Sequence, residues 1–220
     1  MVTPLIVRTL GRVEYEPTWQ AMKNFTRQRD DHTANEIWLT EHPAIFTLGQ
    51  AGRPEHLLKA GNIPLFKSDR GGQITYHGPG QLIAYTLIDL RRAGFGVRSL
   101  VNRLEEAVIT LLQESYQIEA EQQSKAPGVY IKQQKIAALG LRILQGRCYH
   151  GLSLNVAMDL TPFSQINPCG YPGLQVTQLA HFGIDESVES IGQKLLPHLL
   201  DKLGESGSYQ QSSEPYSTAL

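Results

Sequence analysis

Between residues 70 and 89 a polar, glycine-rich segment runs directly into an apolar one, and no other part of the chain restricts its fold so tightly. Arg70-Gly71-Gly72-Gln73-Ile74-Thr75-Tyr76-His77-Gly78-Pro79-Gly80-Gln81 holds four glycines in twelve positions, with an arginine, a histidine and two glutamines. Glycine lets a backbone approach a ligand closely and take φ values that other residues avoid. The polar side chains supply hydrogen-bond donors and acceptors. The run behind them, Leu82-Ile83-Ala84-Tyr85-Thr86-Leu87-Ile88, is almost continuously apolar, so Gln81–Asp89 is expected to be a strand buried on both faces. The junction reads as a ligand-lining loop held between strands, against the plainer reading of a glycine-rich turn. It lacks the Gly-Lys-Ser/Thr of a phosphate-binding loop. A strand rather than a helix follows it, unlike the dinucleotide fingerprint.

The rest of the chain alternates strand and helix patterns. Residues 5–13 read as a strand. Pro17 opens a helix that buries Trp19, Met22 and Phe25 and ends at Asp30-Asp31-His32. Residues 36–40 and 44–48 read as two strands joined at His42-Pro43, followed by a short helix over 54–59 and a strand over 64–68. Ser99 is placed to cap a helix reaching residue 116, with Leu100, Leu104, Val108, Leu111 and Leu112 as its apolar stripe and Arg103 and Glu106 on a solvated side. Gly128–Ile131, 135–144 and 148–155 form a predicted antiparallel meander. Within it Ala137, Ala138 and Gly140 are small for a strand and leave room for something to lie against the sheet. Asp185 is the predicted cap of a last helix to residue 203, kinked at Pro197. The polar tail over 204–220 is expected to be disordered. The order of elements implies one α+β domain over 1–203, a mixed, mostly antiparallel sheet covered by helices.

Composition narrows the partners. The chain has 220 residues, 41% of them hydrophobic, enough for a core without disulfides. Twenty Lys and Arg against 21 Asp and Glu give a net charge of −1, so no basic field points to nucleic acid. With two cysteines, a disulfide scaffold is not expected. No signal peptide or membrane-length apolar run is evident, and the expectation is a soluble, cytoplasmic protein.

Cys169, in Asn167-Pro168-Cys169-Gly170-Tyr171-Pro172-Gly173, is the candidate nucleophile, because a core cysteine usually sits inside an apolar run. Cys148, on a predicted strand, is the structural contrast. Lys135, His77 and His150 are the candidates for its base or cationic partner. Taken by itself, Lys135 reads more readily as a solvated lysine at a hairpin end. A zinc site from Cys148, His150, Cys169 and His77 lacks paired ligand spacing, and no metal or other cofactor is expected. No Gly-x-Ser-x-Gly elbow is present, and a Cys-His hydrolase stays open.

Four blocks together carry a resemblance. Residues 70–81, Lys135-Ile136-Ala137-Ala138-Leu139-Gly140-Leu141-Arg142, His150-Gly151-Leu152-Ser153-Leu154-Asn155 and Ile166-Asn167-Pro168-Cys169-Gly170-Tyr171 resemble, in the same order, the signature of the bacterial lipoyl(octanoyl) transferases. The resemblance implies the fold of biotin and lipoate protein ligases. It also implies transfer of an octanoyl group from octanoyl-acyl carrier protein to a lysine of lipoyl domains, those of 2-oxoacid dehydrogenase complexes and the glycine cleavage H protein. It makes Cys169 the acyl carrier and Lys135 its partner. The acyl chain is then expected along Arg70, Gly71, Gly72, Gln73, Ile74, Thr75, Tyr76 and His77, along Ala138, Leu139 and Gly140, and along His150, Gly151, Leu152 and Ser153. The protein is expected to act as a monomer. Arg142, Arg147 and Lys132 are expected to form a basic edge for docking an acidic carrier protein. The alternatives are an ATP-dependent lipoate or biotin ligase of the same fold and a non-catalytic acyl-protein binding module.

Overall fold

The computed structural model describes residues 4–59, 61–124, 126–205 and 209–212. Its elements, in chain order, are β1 (Leu5–Arg12), α1 (Tyr15–Gln28), β2 (Glu36–Glu41), β3 (Ile45–Leu48), β4 (Leu65–Lys67), β5 (Ile74–His77) and β6 (Gln81–Asp89). There follow α2 (Leu90–Ala93), α3 (Val97–Tyr116), β7 (Glu121–Gln122), β8 (Gly128–Ile131), β9 (Gln134–Leu144), β10 (Arg147–Asn155), α4 (Val188–Leu203) and β11 (Tyr209–Ser212). The large sheet has the order β11-β1-β2-β6-β10-β9-β8-β7, and a small one has the order β4-β3-β5. From β2 to β7 every pairing in the large sheet is antiparallel; β1 pairs with β2 and with β11 in parallel.

The apolar run of β6 is explained by cover on both sides. Successive strand side chains point to opposite faces. Leu82, Ala84 and Ile88 pack with Leu104 and Leu111 of α3 and Leu195 of α4. Ile83, Tyr85 and Leu87 pack with Ala21 and Met22 of α1 and with Trp38. Burying each large apolar side chain stabilises the fold by about 2 kcal/mol. The small sheet has its own core, in which Phe46, Ile74 and Tyr76 meet Phe163 and Ile166.

Some expectations shift by a residue or a partner. The helix α3 starts behind Gly96, and Ser99 instead accepts a hydrogen bond from Arg103 Nε at 3.2 Å. Arg103 is not on a solvated face: it donates to the Lys202 carbonyl at the end of α4 and lies 4.6 Å from the Phe95 ring centre. Ser187, not Asp185, caps α4 by accepting from the Ser190 amide at 3.1 Å. The strands β2 and β3 belong to different sheets. The crossing is pinned at His42, whose ring meets the Val13 carbonyl at 2.7 Å and the Tyr85 hydroxyl at 2.6 Å. Part of the segment read as a loop is strand β5, antiparallel to β3 with Phe46 opposite Tyr76. The tail expectation is corrected over Tyr209–Ser212, which pairs with β1 as an edge strand; residues 206–208 and 213–220 lie outside the described residues. An edge strand needs one row of backbone hydrogen bonds and little apolar content, so polarity alone misread it.

Gly151 of β10 shows how closely the central strands approach. A Cβ built there would lie 1.9 Å from the Ala84 carbonyl oxygen of β6. Backbone cannot yield as a flexible side chain can. Gly151→Ala is therefore expected to lower unfolding free energy by about 3 kcal/mol or more in urea titration; a change within experimental error would show that β6 and β10 lie farther apart than this.

Candidate active site

The meander β8-β9-β10 and strand β6 supply a floor, and the glycine-rich segment lies over it. Gly140 on β9 stands opposite Gly151 on β10, and Ala138 opposite Ser153. A Cβ on Gly140 would come within 3.1 Å of the Gly71 carbonyl oxygen. The small side chains of β9 and β10 thus leave room for two things. At Gly140 it is the chain's own Arg70–Gly71 backbone. At Ala138, Gly151 and Ser153 it is a cleft, open on one side.

Arg70 fastens the segment. Its Nε donates to Thr47 Oγ1 at 3.0 Å, Nη1 to the Gly71 carbonyl at 2.9 Å, and Nη2 to the carbonyls of Thr47 and Gln73 at 2.5 and 2.7 Å. Thr47 Oγ1, having accepted from Arg70, lies 3.3 Å from His77 Nε2, whose Nδ1 lies 2.8 Å from Gln81 Oε1. Those partners fix the tautomer, with Nδ1 protonated. Gln81 Nε2 donates to Asn155 Oδ1 at 2.9 Å, and Asn155 Nδ2 to the Thr177 carbonyl at 2.9 Å. One polar chain therefore links the small sheet, the glycine-rich segment, the end of β10 and the segment after Gly173.

The expected acyl-lining residues fall in three places. Arg70, Gly72, Gln73, Ile74, Thr75, His77, Ala138, Leu139, Gly140, His150, Gly151, Leu152 and Ser153 line the cleft. Gly71 lies on its outer side, its amide bonded to the Leu141 carbonyl at 2.9 Å. Tyr76 turns away into the small-sheet core, its ring 5.5 Å from that of Phe163. Strand β5 puts Tyr76 on the face of Ile74, which packs into the same small-sheet core, and Thr75 and His77 on the other.

Lys135 is buried, with 4% of its surface exposed, so the solvated-lysine reading does not hold. A bulge between Val129 and Tyr130 shifts the β8–β9 register. Bulges re-aim side chains, and Ile136 and Ala137, neighbours in sequence, both join the helix-side core. Lys135 Nζ donates to the Pro127 carbonyl at 3.0 Å and lies 5.2 Å from the Tyr130 ring centre. Nearby, Glu105 accepts from the Gly128 amide at 2.6 Å. Burial raises the Glu105 pKa, and the Gly128 amide and the Lys135 charge oppose that rise.

The Cys169 segment is brought to the same place. Lys135 exchanges backbone bonds with the passing chain, its amide to the Gln175 carbonyl and its carbonyl from the Thr177 amide, each at 2.9 Å. Upstream, the turn Pro168–Gly170 is held by the Asn167 amide on the His56 carbonyl at 2.8 Å, and Gly170 packs against the Gln73 side chain. Pro168 and Lys135 line one small cavity with Thr75, Ala138 and Ser153. The Cys169 side chain lies outside the described residues.

Cys148 is fully buried in the helix-side core, and burial pushes its thiol up to about 12. His77 is held neutral near 3, chiefly by burial, with both ring nitrogens taken. His150 lies mid-strand with φ +64, which turns its ring back to stack on Tyr149 at 5.0 Å, away from Cys148. Among the described residues no group of three or more metal-ligating side chains comes together. Arg147 is withdrawn from the expected docking edge: it is 9% exposed and paired with Asp89 at 3.4 Å. Lys132 is exposed, and Arg142 donates to Gln50 Oε1 at 2.7 Å.

Asp69 did not stand out in the sequence. It accepts from Trp19 Nε1 at 2.7 Å and the Tyr149 hydroxyl at 2.5 Å, and faces His150 Nε2 at 3.0 Å. Burial opposes ionisation of its carboxyl, but these hydrogen bonds hold it well below the usual carboxylate range. Its place directly before Arg70 was the one available signal. Tyr15, Ile83 and Tyr85 also line the cleft and carry no local signal, since distant elements bring them there.

The buried histidines make a pH prediction. Burial lowers His42 to about 4 and His77 to about 3, and lowers His150 as well. In the unfolded chain they titrate near 6.5. As pH falls below about 6.5 the unfolded state takes protons first, so the stability these residues contribute is complete above that pH and is lost progressively below it, by up to about 1.4 kcal/mol per pH unit per histidine. Urea unfolding should show flat stability from about pH 8 to 7 and a decline toward about pH 5. The decline should be shallower in His42→Asn. A flat profile down to pH 5 would contradict neutral burial.

Residues 14–200 match the lipoyl protein ligase A/B catalytic domain. The octanoyltransferase of Azoarcus sp. (strain BH72) is 60% identical over 198 residues, 90% of this chain and 87% of that protein. The octanoyltransferase of Chromobacterium violaceum is 57% identical over 196 residues, 89% and 94% of the two chains. Among solved structures, the bi-partite lipoate protein ligase of Thermoplasma acidophilum, described with its E2 lipoyl domain, aligns with a TM-score of 0.76 at 16% identity, covering 96% of this chain and 86% of that one. The biotin protein ligase of Aquifex aeolicus, solved with biotin and ATP, gives 0.57 at 13% identity over 91% and 70%. Likeness at those identities speaks for the fold, as expected, and the closer sequence matches speak for the family. The chain belongs to the lipoyl protein ligase A/B catalytic domain family, and within it to the octanoyltransferases.

Proposed function

We propose that this protein moves an octanoyl group from octanoyl-acyl carrier protein to a lysine of lipoyl domains, through a thioester on Cys169. The observation that carries the reading is Lys135, a buried lysine sharing a cavity with Pro168 at one end of the cleft. A buried ammonium stabilises a neighbouring thiolate, and a neutral buried lysine accepts the thiol proton.

In the first step the Cys169 thiolate adds to the donor's carbonyl carbon. A new C–S bond forms as the carrier's C–S bond breaks, and the carrier leaves as a thiol with the proton passed through Lys135. In the second step the acceptor's ε-amine adds to the same carbonyl, an amide forms, and the Cys169 thiolate departs. One proton from the amine returns to the Cys–Lys pair. The donor is already a thioester, so ATP has no role, which separates this reading from the adenylating ligases of the same fold. The octanoyl chain lies in the cleft, along Thr75, Ala138, Gly140 and Gly151–Ser153. The protein works in the cytoplasm as a monomer, with Arg142 and Lys132 at the docking edge.

Incubation with octanoyl-acyl carrier protein alone, followed by intact mass measurement, is expected to show one octanoyl adduct, lost in Cys169→Ala and retained in Cys148→Ala. An adduct on Cys148, or none under turnover conditions, would overturn the assignment. Lys135→Ala and Lys135→Arg are both expected to slow acylation at least about 100-fold. In Lys135→Ala the pH midpoint for Cys169 alkylation should rise toward the free-thiol value of about 8.5. An unchanged midpoint with unchanged single-turnover acylation would make Lys135 a bystander.

A further inference from the structure

We propose that Ile83, backed by Tyr85 and Tyr15, closes the far end of the cleft and sets the length of acyl chain it accepts. This rests on the reading of the cleft as the acyl site and adds the part that measures the chain.

The cleft crosses the sheet. Ala138, Ser153 and Ile83 form one row through β9, β10 and β6, and Gly140, Gly151 and Tyr85 form the next row on that face. All six line the cleft. On the β9 side, Ala138, with Ser153 of β10, also lines the small cavity that Lys135 and Pro168 line, and the reacting carbonyl is assigned there. Ahead of Ile83 and Tyr85 the two rows carry only alanine, serine and glycine. At the β6 end the cleft stops. Ile83 is 2% and Tyr85 4% exposed, and both pack into the core of Ala21, Met22 and Trp38. The Tyr85 hydroxyl is held by His42 Nε2 at 2.6 Å and that of Tyr15 by Ser68 Oγ at 2.8 Å, while the Tyr15 ring stacks on His77 at 5.9 Å. With those hydroxyls engaged, the end is formed by the Tyr15 and Tyr85 rings and Ile83, an apolar stop suited to a terminal methyl.

The distance fits. Adjacent strands lie about 4.8 Å apart, so two steps from β9 to β6 span about 10 Å, close to the length of an extended octanoyl chain. Ile83 lies in the row of Ala138 and Ser153, directly ahead of a chain entering from the Lys135 end.

The test compares hexanoyl-, octanoyl-, decanoyl- and dodecanoyl-acyl carrier protein as donors to a lipoyl domain, read as ratios of kcat/KM. Ile83→Ala is expected to raise the decanoyl-to-octanoyl ratio about ten-fold or more. Ile83→Val, a milder change that preserves the core, should shift the ratio the same way by less, and Ile83→Phe should shift preference toward hexanoyl. Unchanged ratios in folded Ile83→Ala and Ile83→Val would overturn the proposal while leaving octanoyl transfer by the unaltered protein in place. Failure of the unaltered protein to transfer any chain would overturn the underlying reading of the site.

Discussion

The Arg70 guanidinium ties together two layers that secondary structure alone does not join. The glycine-rich segment crosses from the small sheet to the large one, where backbone carbonyls of Thr47, Gly71 and Gln73 have to be satisfied inside a wall. Arg70 meets all three and Thr47 Oγ1 as well. A planar, permanently charged fork suits this, because several donors leave one rigid group in fixed directions. Lysine offers a point charge and would leave acceptors unpaired, which costs about 1–3 kcal/mol for each buried group. The arginine therefore shapes the cleft through the backbone, and the cleft inherits its rigidity from a buried side chain that also lines it.

The glycines answer the complementary requirement. Gly140 and Gly151 face each other where backbone comes close on two sides: β6 beside Gly151 in the same sheet, and the Arg70–Gly71 crossing over Gly140. Any side chain at Gly151 meets a carbonyl, and one at Gly140 meets the crossing segment. Close approach is what leaves a cleft along the neighbouring Ala138 and Ser153. At the same time the bulge in β9 turns Lys135 away from the regular alternation and into a buried position. The cleft and the buried lysine thus depend on adjacent irregularities of one hairpin.

Much of this was legible in the sequence because it follows from local pattern. The run from Gln81 to Asp89 is a strand buried on both faces, as its apolar continuity predicts, and the α3 stripe from Leu100 to Leu112 is buried as its spacing predicts. The site residues that pattern alone missed are those assembled from far apart. Tyr15 comes from the start of α1, and Asp69 matters only because Trp19, Tyr149 and His150 converge on it. Tyr76 belongs to the same motif, yet its ring packs into the small-sheet core against Phe163. Arg147 looks like a surface cation until its pairing with the cap of α2, Asp89, is seen. Lys135 was ambiguous for a physical reason, since a hairpin-end lysine is ordinarily solvated and the bulge that buries it leaves no mark in composition.

The central claim is that one cleft joins the Cys169–Lys135 end to a blind end at Ile83 with the acyl chain stretched between them. A crystal structure of the octanoyl-enzyme, trapped before acceptor is added, tests that most directly. The account predicts continuous density from the Cys169 sulfur past Ala138 and Ser153, ending against Ile83 and the Tyr85 ring. Density for the chain lying instead in the outer groove beside Val97, Val101 and Tyr171 would contradict it.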